Sequence, residues 1–424
     1  MLNSQYKQIM LVAGEASGDE HAALIVRELK RGNPDTHVFG MGGEKLRSAG
    51  MEVILDIKKY ASVMGLVEVV KHIKVISEAY KTLLAEAEKR KPDLVILVDY
   101  PGFNLRIAKD LKQRGFKILY FIAPQIWAWK QGRAKTISKY VDKVAAIFPF
   151  EERFFKNLGI NAEFVGHPFA DRPPLGVNKQ EFLRSLNLFP DTPTLALLPG
   201  SRKDEIKKLL VPMFGTYLKL KERFPELQVI IPVAGTINKS WLYRICRRVR
   251  HKGDTGSDKP LKLRAVDLSD VAFVPNTKVR EALAVSDIGL IKSGTITMEA
   301  TFAELPFIVV YKVSPLTYWV AKRVVKGVKN FSMPNIITGH EIVTELLQEQ
   351  VTPERMASHL EKFLNSEEQR NKVVNDLVRV KAQLTKTGTG KSSTAENVVR
   401  IVNQLIECRT ANPGCPTELH SGKC

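Results

Sequence analysis

Cysteine is scarce in this chain: four among 424 residues, with Cys408, Cys415 and Cys424 crowded into the terminal stretch. So few thiols cannot build a disulfide framework, and a reducing compartment is the expectation. Long apolar runs are missing too. Leu94-Val-Ile-Leu-Val98 is typical of the strongest, whereas a spanning helix needs about 20 residues, so no bilayer crossing is expected. The opening residues, Met1-Leu-Asn-Ser-Gln-Tyr-Lys-Gln8, carry no basic segment, and Ile9–Ala13 is too short for the core of an export signal. C-x-x-C and H-E-x-x-H are absent and the eight histidines are scattered, so no metal site and no cofactor are expected.

Acidic residues are in deficit. The 45 Asp and Glu face 64 Lys and Arg, a formal net charge of +19, and such a field attracts polyanions: nucleic acid, anionic lipid or phosphorylated substrates. Hydrophobic residues at 44% and charged residues at 26% are ordinary for a soluble folded protein and exclude disordered, collagen-like or coiled-coil chains. At about 150 residues per domain, the length predicts two or three domains.

Short β-branched runs alternate with longer amphipathic stretches, the pattern of βαβ units around parallel sheets. In the first half, strands are expected at Ile9–Ala13, Val38–Met41, Leu94–Val98, Ile118–Ile122, Val144–Phe148 and Glu163–Val165. Helices are expected around Glu20–Lys30, Gly65–Arg90, Asn104–Arg114 and Ala134–Tyr140. His167–Asn178 is rich in proline and polar residues, lacks apolar periodicity and is expected to be a linker. The alternation then restarts, with strands at Leu195–Leu198, Val229–Val233, Ala272–Val274, Ile288–Ile291 and Phe307–Tyr311. Between them helices are expected at Asp204–Arg223, Lys239–Arg250, Val279–Val285 and Thr297–Ala303. His251–Lys262 is expected to be a surface loop, and the chain after Asn335 to be mainly helical. The fold class is therefore α/β, with two Rossmann-like doubly wound domains (1–175 and 176–345), C-terminal helices (346–407) and an unstructured tail (408–424). Such sheets bind ligands beyond their strand C-termini, which points to a site in the cleft between the domains.

Four places can carry chemistry. Gly14-Glu-Ala-Ser-Gly-Asp-Glu-His21 sets small residues where a strand gives way to a helix, and free amides there suit an anion or a sugar hydroxyl. Gly14, Glu15, Ser17 and Asp19 are accordingly candidate substrate contacts. The dinucleotide fingerprint is not matched, and the bland alternative is a turn with Ser17 or Asp19 as N-cap. Asp99 follows a buried strand and precedes Tyr100-Pro-Gly-Phe-Asn104. A carboxylate there can take a proton from an attacking hydroxyl if desolvation lifts its pKa, or simply cap the next helix.

In the second half, Leu198-Pro-Gly-Ser-Arg202 brings Gly200, Ser201 and the fixed cation of Arg202 to a helix start, and arginine grips phosphate bidentately. Ser293, Gly294 and Thr295 form a similar loop, with Thr297 and Glu299 in the following turn. A glutamate among those hydroxyls suits a ribose diol, the alternative being a capping box. A leaving diphosphate would be stabilised by Arg202, a helix N-terminus and Lys292 or Lys203. His167 is expected to be structural, and Trp127 and Trp129 to line a cleft or fill core. Val63, Met64, Leu66 and Val67 in Val63–His72, and the basic stretch Tyr318–Lys329, suit a membrane interface or a core-facing helix.

Together these strings resemble the lipid-A-disaccharide synthases, inverting glycosyltransferases of the GT-B architecture. The carriers are GEASGD (Gly14–Asp19), DYPGFN (Asp99–Asn104), APQIWAWK (Ala123–Lys130), GHP (Gly166–Pro168), LPGSR (Leu198–Arg202), SGT-x-T-x-E (Ser293–Glu299) and MPNII (Met333–Ile337). The match runs from Ile9 to about Leu405. The resemblance implies transfer of 2,3-diacylglucosamine from UDP to the 6-hydroxyl of 2,3-diacylglucosamine 1-phosphate, in lipopolysaccharide lipid A biosynthesis. It further implies Asp99 as base, Arg202 and the Ser293–Glu299 loop as nucleotide-binding elements, a substrate-side role for Asn335 and peripheral association with the cytoplasmic face of the inner membrane. A homodimer is left open, and nucleic acid is not expected as a partner. Two rivals remain. Another UDP-sugar enzyme, such as a UDP-N-acetylglucosamine epimerase, would act without acylated acceptor, while a non-enzymatic polyanion binder would be indifferent to Asp99→Asn.

Overall fold

Leu94-Val-Ile-Leu-Val98 is buried along its whole length, as a parallel strand covered on both faces must be. The computed structural model describes residues 7–61, 69–127, 132–247, 249, 267–314, 318–319, 330–385 and 392–411. It divides into two units, one of 1–171 with 384–424 and one of 172–383.

In the first unit the order is β1 (Gln8–Ala13), α1 (Ala16–Gly32), β2 (His37–Gly42), α2 (Glu44–Ser48), β3 (Glu52–Asp56), α3 (Lys58–Ala61), α4 (Val69–Arg90), β4 (Leu94–Val98), α5 (Pro101–Gln113), β5 (Ile118–Phe121), α6 (Gly132–Tyr140), β6 (Lys143–Ala146), α7 (Pro149–Asn157) and β7 (Ala162–Phe164). Its strands lie in the order β3-β2-β1-β4-β5-β6-β7, and the pairs are parallel. Chain order therefore reverses between β1 and β4, and a ligand crevice opens at such a switch point. Met10, Val12, Val95, Leu97, Ile107 and Leu111 pack in one core cluster. Burying each side chain of this size contributes roughly 1.5–3 kcal/mol.

The second unit repeats the plan with α8 (Lys179–Ser185), β8 (Thr194–Leu198), α9 (Lys203–Lys221), β9 (Gln228–Val233), α10 (Lys239–Arg247), β10 (Val271–Pro275), α11 (Val279–Val285), β11 (Ile288–Lys292), α12 (Ile296–Phe302), β12 (Phe307–Tyr311), α13 (Met333–Thr338), β13 (Glu345–Leu347), α14 (Pro353–Asn365) and α15 (Glu367–Thr385). The sheet order is β10-β9-β8-β11-β12-β13, and β8 and β11 flank its reversal as parallel neighbours. The final helix, α16 (Thr394–Ala411), belongs to the first unit.

Several expectations are corrected. The edge strand β3 and the helix α7 were not foreseen: β3 is only half-buried, its apolar run limited to Val53-Ile-Leu55 between two acidic residues, while α7 is only nine residues long and begins at Pro149. Strand β5 ends one residue early because Ile122 turns to φ +56. The segment after Asn335 is mainly helical, as expected, with the short strand β13 completing the second sheet. The helices of 346–407 are shared between the units, and α16 runs on to Ala411, through Cys408 of the expected tail. Val63, Met64, Leu66, Val67, Trp129, His251–Lys262, most of Tyr318–Lys329 and residues 412–424 lie outside the described residues. Among the described residues, no helix is long and apolar enough to cross a membrane.

The link between linker and final helix is specific. Asp171 accepts hydrogen bonds from the amides of Thr394 (2.9 Å) and Ala395 (3.1 Å) at the start of α16, and Asn397 donates to the carbonyl of Val165 (3.2 Å). Lys117 reaches the carbonyl of Leu405 (2.9 Å). Losing a two-amide cap costs about 1 kcal/mol. Asp171→Ala is therefore expected to speed amide exchange along Thr394–Ala411 while β1 and β4 keep their protection. Unchanged exchange in that helix would show that Asp171 does not anchor it.

Candidate active site

At the first switch point two loops meet. The β1 loop begins at Gly14, where a Cβ would fall 2.1 Å from the Tyr100 ring, so only glycine lets that ring lie across the strand end. The β4 loop carries Asp99 and Tyr100, both left-handed at φ +48 and +47. Each such residue costs roughly 1–2 kcal/mol when it is not glycine, and the surroundings supply the restraint. Asn104, fully buried, donates from Nδ2 to the carbonyls of Asp99 (2.8 Å), Val98 (3.1 Å) and Val12 (3.4 Å). The Tyr120 hydroxyl donates to the same Asp99 carbonyl (2.7 Å), and the Asp99 amide donates to Phe121 O (3.1 Å). The C-terminal ends of β1 and β4, and the peptide that carries the Asp99 side chain, are thereby held.

Asp99 is half-buried, and burial pushes its carboxyl above the ordinary value of 3.8 against the opposing pull of the Tyr100 amide. A carboxylate so placed accepts a proton more readily than a surface aspartate. Burial raises the Tyr120 hydroxyl well above its ordinary value, with the Asp99 charge adding to the effect, so it stays a donor. Tyr100 is raised by burial and then by the Glu15 carboxylate, which puts Glu15 in the same electrostatic neighbourhood. Ser17 is exposed in the first turn of α1, whose N-cap residue Glu15 makes no side-chain cap.

Asp19 works inside the fold. Its carboxylate accepts from the amides of Gly43 (2.6 Å), Lys45 (3.0 Å) and Leu46 (3.2 Å), capping α2, and it is buried. The packing explains its place in the motif without a ligand.

In the second unit, Gly200 takes φ +115 with the Glu205 carboxylate tucked beneath it. Glu205 accepts from the amides of Ser201 (3.2 Å) and Arg202 (3.4 Å) and pairs with Lys292 at 3.1 Å. The loop after β8 and the end of β11 are thus clasped together, and the exposed Arg202 side chain is left as the loop's outward cation. Tyr311, beneath Lys292, is raised by burial and the Glu205 charge, with Arg202 opposing. On the β11 side, Gly294 and Thr295 are exposed. Thr297 is buried, and its hydroxyl donates to Gly294 O (2.7 Å). Thr295 makes no side-chain cap, so the capping-box alternative does not apply. Ser293 donates to Phe331 O (3.1 Å).

Glu299 is gripped by Arg172, whose Nη1 lies 2.8 and 2.7 Å from the two carboxylate oxygens. Each oxygen retains a lone pair for a further donor. Asn335 is fully buried and saturated: Nδ2 donates to Val343 O and Glu345 Oε1 (both 2.8 Å), and Oδ1 accepts from Ile342 N (2.8 Å) and Val343 N (3.0 Å). Glu345 in turn accepts from the amides of Phe331 (2.9 Å) and Ser332 (2.8 Å). Asn335 therefore organises the loop under Ser293. Among the described residues no group of three or more His, Cys, Asp or Glu side chains could hold a metal.

A family model described as lipid-A-disaccharide synthetase matches residues 9–402. The chain belongs to this family. The lipid-A-disaccharide synthase of Geobacter sulfurreducens is 39% identical over 406 residues, 96% of this chain and 99% of its own. That of Anaeromyxobacter dehalogenans is 41% identical over 381 residues, 90% of this chain and 94% of its own. Lipid-A-disaccharide synthases are glycosyltransferases of lipid A biosynthesis that use a UDP-sugar donor, and the GT-B fold agrees. A UDP-GlcNAc 2-epimerase from Neisseria meningitidis bound to UDP-GlcNAc is similar in fold (TM-score 0.63, 12% identity, 94% of this chain and 100% of that one). The calicheamicin glycosyltransferase is similar as well (TM-score 0.55, 16% identity, 96% and 100%).

Sequence reasoning missed Tyr120, Arg172, Glu205 and Glu345 as parts of these clasps. Arg172 lay in a stretch read only as linker, Tyr120 and Glu345 act across separations of 10 to 21 residues that no local pattern reports, and Glu205, three residues after Arg202, is in capping-box position, the one local signal that could have found it. Asn104 stood inside a quoted motif without a task.

The raised Asp99 pKa has a consequence for stability. Between the ordinary value of 3.8 and the raised one, the folded state binds the extra proton, so stability falls as pH rises through that window. Asp99→Asn is expected to melt higher than wild type at neutral pH, with the gap closing as pH falls toward 3.8. A gap that widens on acidification would contradict the raised pKa.

Proposed function

We propose that the chain transfers 2,3-diacylglucosamine from its UDP ester to the 6-hydroxyl of 2,3-diacylglucosamine 1-phosphate. The acceptor O6 gives its proton to the Asp99 carboxylate and bonds to C1 of the donor sugar. The bond between C1 and the diphosphate oxygen breaks on the opposite face, and UDP leaves with inversion at C1. Arg202 stabilises the charge that develops on the diphosphate, as a fixed cation at a leaving group does. Gly200, Ser201, Ser293, Gly294 and Thr295 line the donor loops, and Glu299, fixed by Arg172, accepts from the ribose hydroxyls. Gly14, Glu15 and Ser17 lie on the acceptor side.

The observation that carries this reading is the clamped left-handed turn that holds Asp99 at the C-terminal end of β4, where burial raises its carboxyl above the ordinary pKa. The acyl chains on both substrates partition into a bilayer, and the net charge of +19 favours an anionic surface. Together they support peripheral work on the cytoplasmic face of the inner membrane.

UDP release from UDP-2,3-diacylglucosamine in detergent micelles is expected to require 2,3-diacylglucosamine 1-phosphate. Asp99→Asn is expected to lower kcat by roughly a hundred- to ten-thousandfold, the share of a general base, with the donor KM little changed. Equal UDP release without acceptor would favour epimerase-like chemistry on UDP-sugars, and full turnover in Asp99→Asn would remove it as the base.

A further inference from the structure

Glu151 is a carboxyl that the proposed reaction does not use. It lies in the first turn of α7, beyond the C-terminal end of β6, and only 2% of it is exposed. Burial pushes its pKa up to about 7, a cost that hydrogen bonds from its surroundings only partly offset. An apolar residue of similar volume would fill such a place more cheaply. What the carboxyl supplies is an acceptor: Trp127 Nε1 donates to Glu151 Oε1 at 3.1 Å.

Trp127 stands on the loop after β5, the strand paired with β4. That loop starts beside the base, since Phe121 O accepts the Asp99 amide and Ile122 immediately turns left-handed. The indole is half-buried and meets Phe150 edge to face at 5.1 Å, and Phe150 stacks on Phe148 at 5.7 Å. With its only polar atom committed to Glu151, the indole offers a ligand a flat surface and no donor. Such a surface packs well on aliphatic C–H groups, which acylated glucosamine presents on its ring face and along its acyl chains.

We propose that Glu151 is a positioning residue that fixes the Trp127 indole as a wall for the aliphatic C–H surface of the acceptor. The inference rests on the acceptor-side reading above, and Glu151 acts through Trp127 without touching substrate.

The test is steady-state kinetics of the full chain with the acceptor varied at saturating donor. Glu151→Leu and Trp127→Phe are each expected to raise the acceptor KM about tenfold, the worth of one hydrogen bond, with donor KM and kcat little changed. Glu151→Gln keeps an acceptor for the indole N–H and is expected to restore the KM, and it carries the comparison with Trp127→Phe if Glu151→Leu does not fold. The double variant is expected to show no further rise, because the two side chains act as a unit. Repeating the series with acceptors of shorter acyl chain separates the two surfaces: a penalty independent of chain length assigns the wall to the sugar ring, and one that shrinks assigns it to the acyl chain. An unchanged acceptor KM in Trp127→Phe, a Glu151→Gln as impaired as Glu151→Leu, or additive effects in the double variant would each overturn the inference alone. Absence of acceptor-dependent turnover in the wild-type chain would overturn the proposed reaction and this inference with it.

Discussion

One carbonyl oxygen organises the first unit. The Asp99 carbonyl accepts from Asn104 and from Tyr120, and these bonds hold two successive residues in a conformation that each would otherwise leave. A neutral hydrogen bond contributes about 1 kcal/mol and a left-handed non-glycine costs roughly 1–2 kcal/mol, so the turn persists only because several restraints converge on it. From that turn follow the end of β4, the start of α5 at Pro101, the closure of Tyr100 over Gly14 and the direction of the Asp99 carboxyl. The strain is local, and it sits where chemistry is proposed.

The second unit reaches a similar end by other means. Its loops are held by carboxylates, Glu205 beneath Gly200 and Glu345 beneath Ser332 and Asn335. These carboxylates satisfy loop amides and fix the loop backbone, and the Arg202 side chain stays exposed. Lys292 links one carboxylate to the neighbouring strand, so the loops on either side of the sheet reversal form one piece.

The buried strands were legible in the sequence because a parallel strand covered on both faces needs an unbroken apolar run, and Leu94–Val98, Ile288–Ile291 and Phe307–Tyr311 have one. Strands β3 and β13 were not, because β3 is a half-buried edge strand and β13 has three residues. The motif loops were found as strings, yet strings do not say which way a side chain points. Asp19 and Asn335 sit inside such strings; Asp19 spends its carboxylate on backbone amides, and Asn335 spends its amide on backbone and on Glu345. Glu299 was foreseen, but its partner Arg172 stands 127 residues earlier, beyond any periodicity. C-terminal helices were expected over 346–407, while the membership of α16 in the first unit depends on Asp171, Lys117 and Asn397 meeting groups far along the chain.

The account turns on the protonation of one side chain. Carboxyl carbon NMR of the chain labelled at aspartate, with the Asp99 resonance assigned by its loss in Asp99→Asn, reads that protonation directly. A titration midpoint above the ordinary 3.8 is the predicted result. A midpoint at or below that value would contradict a desolvated base at the end of β4.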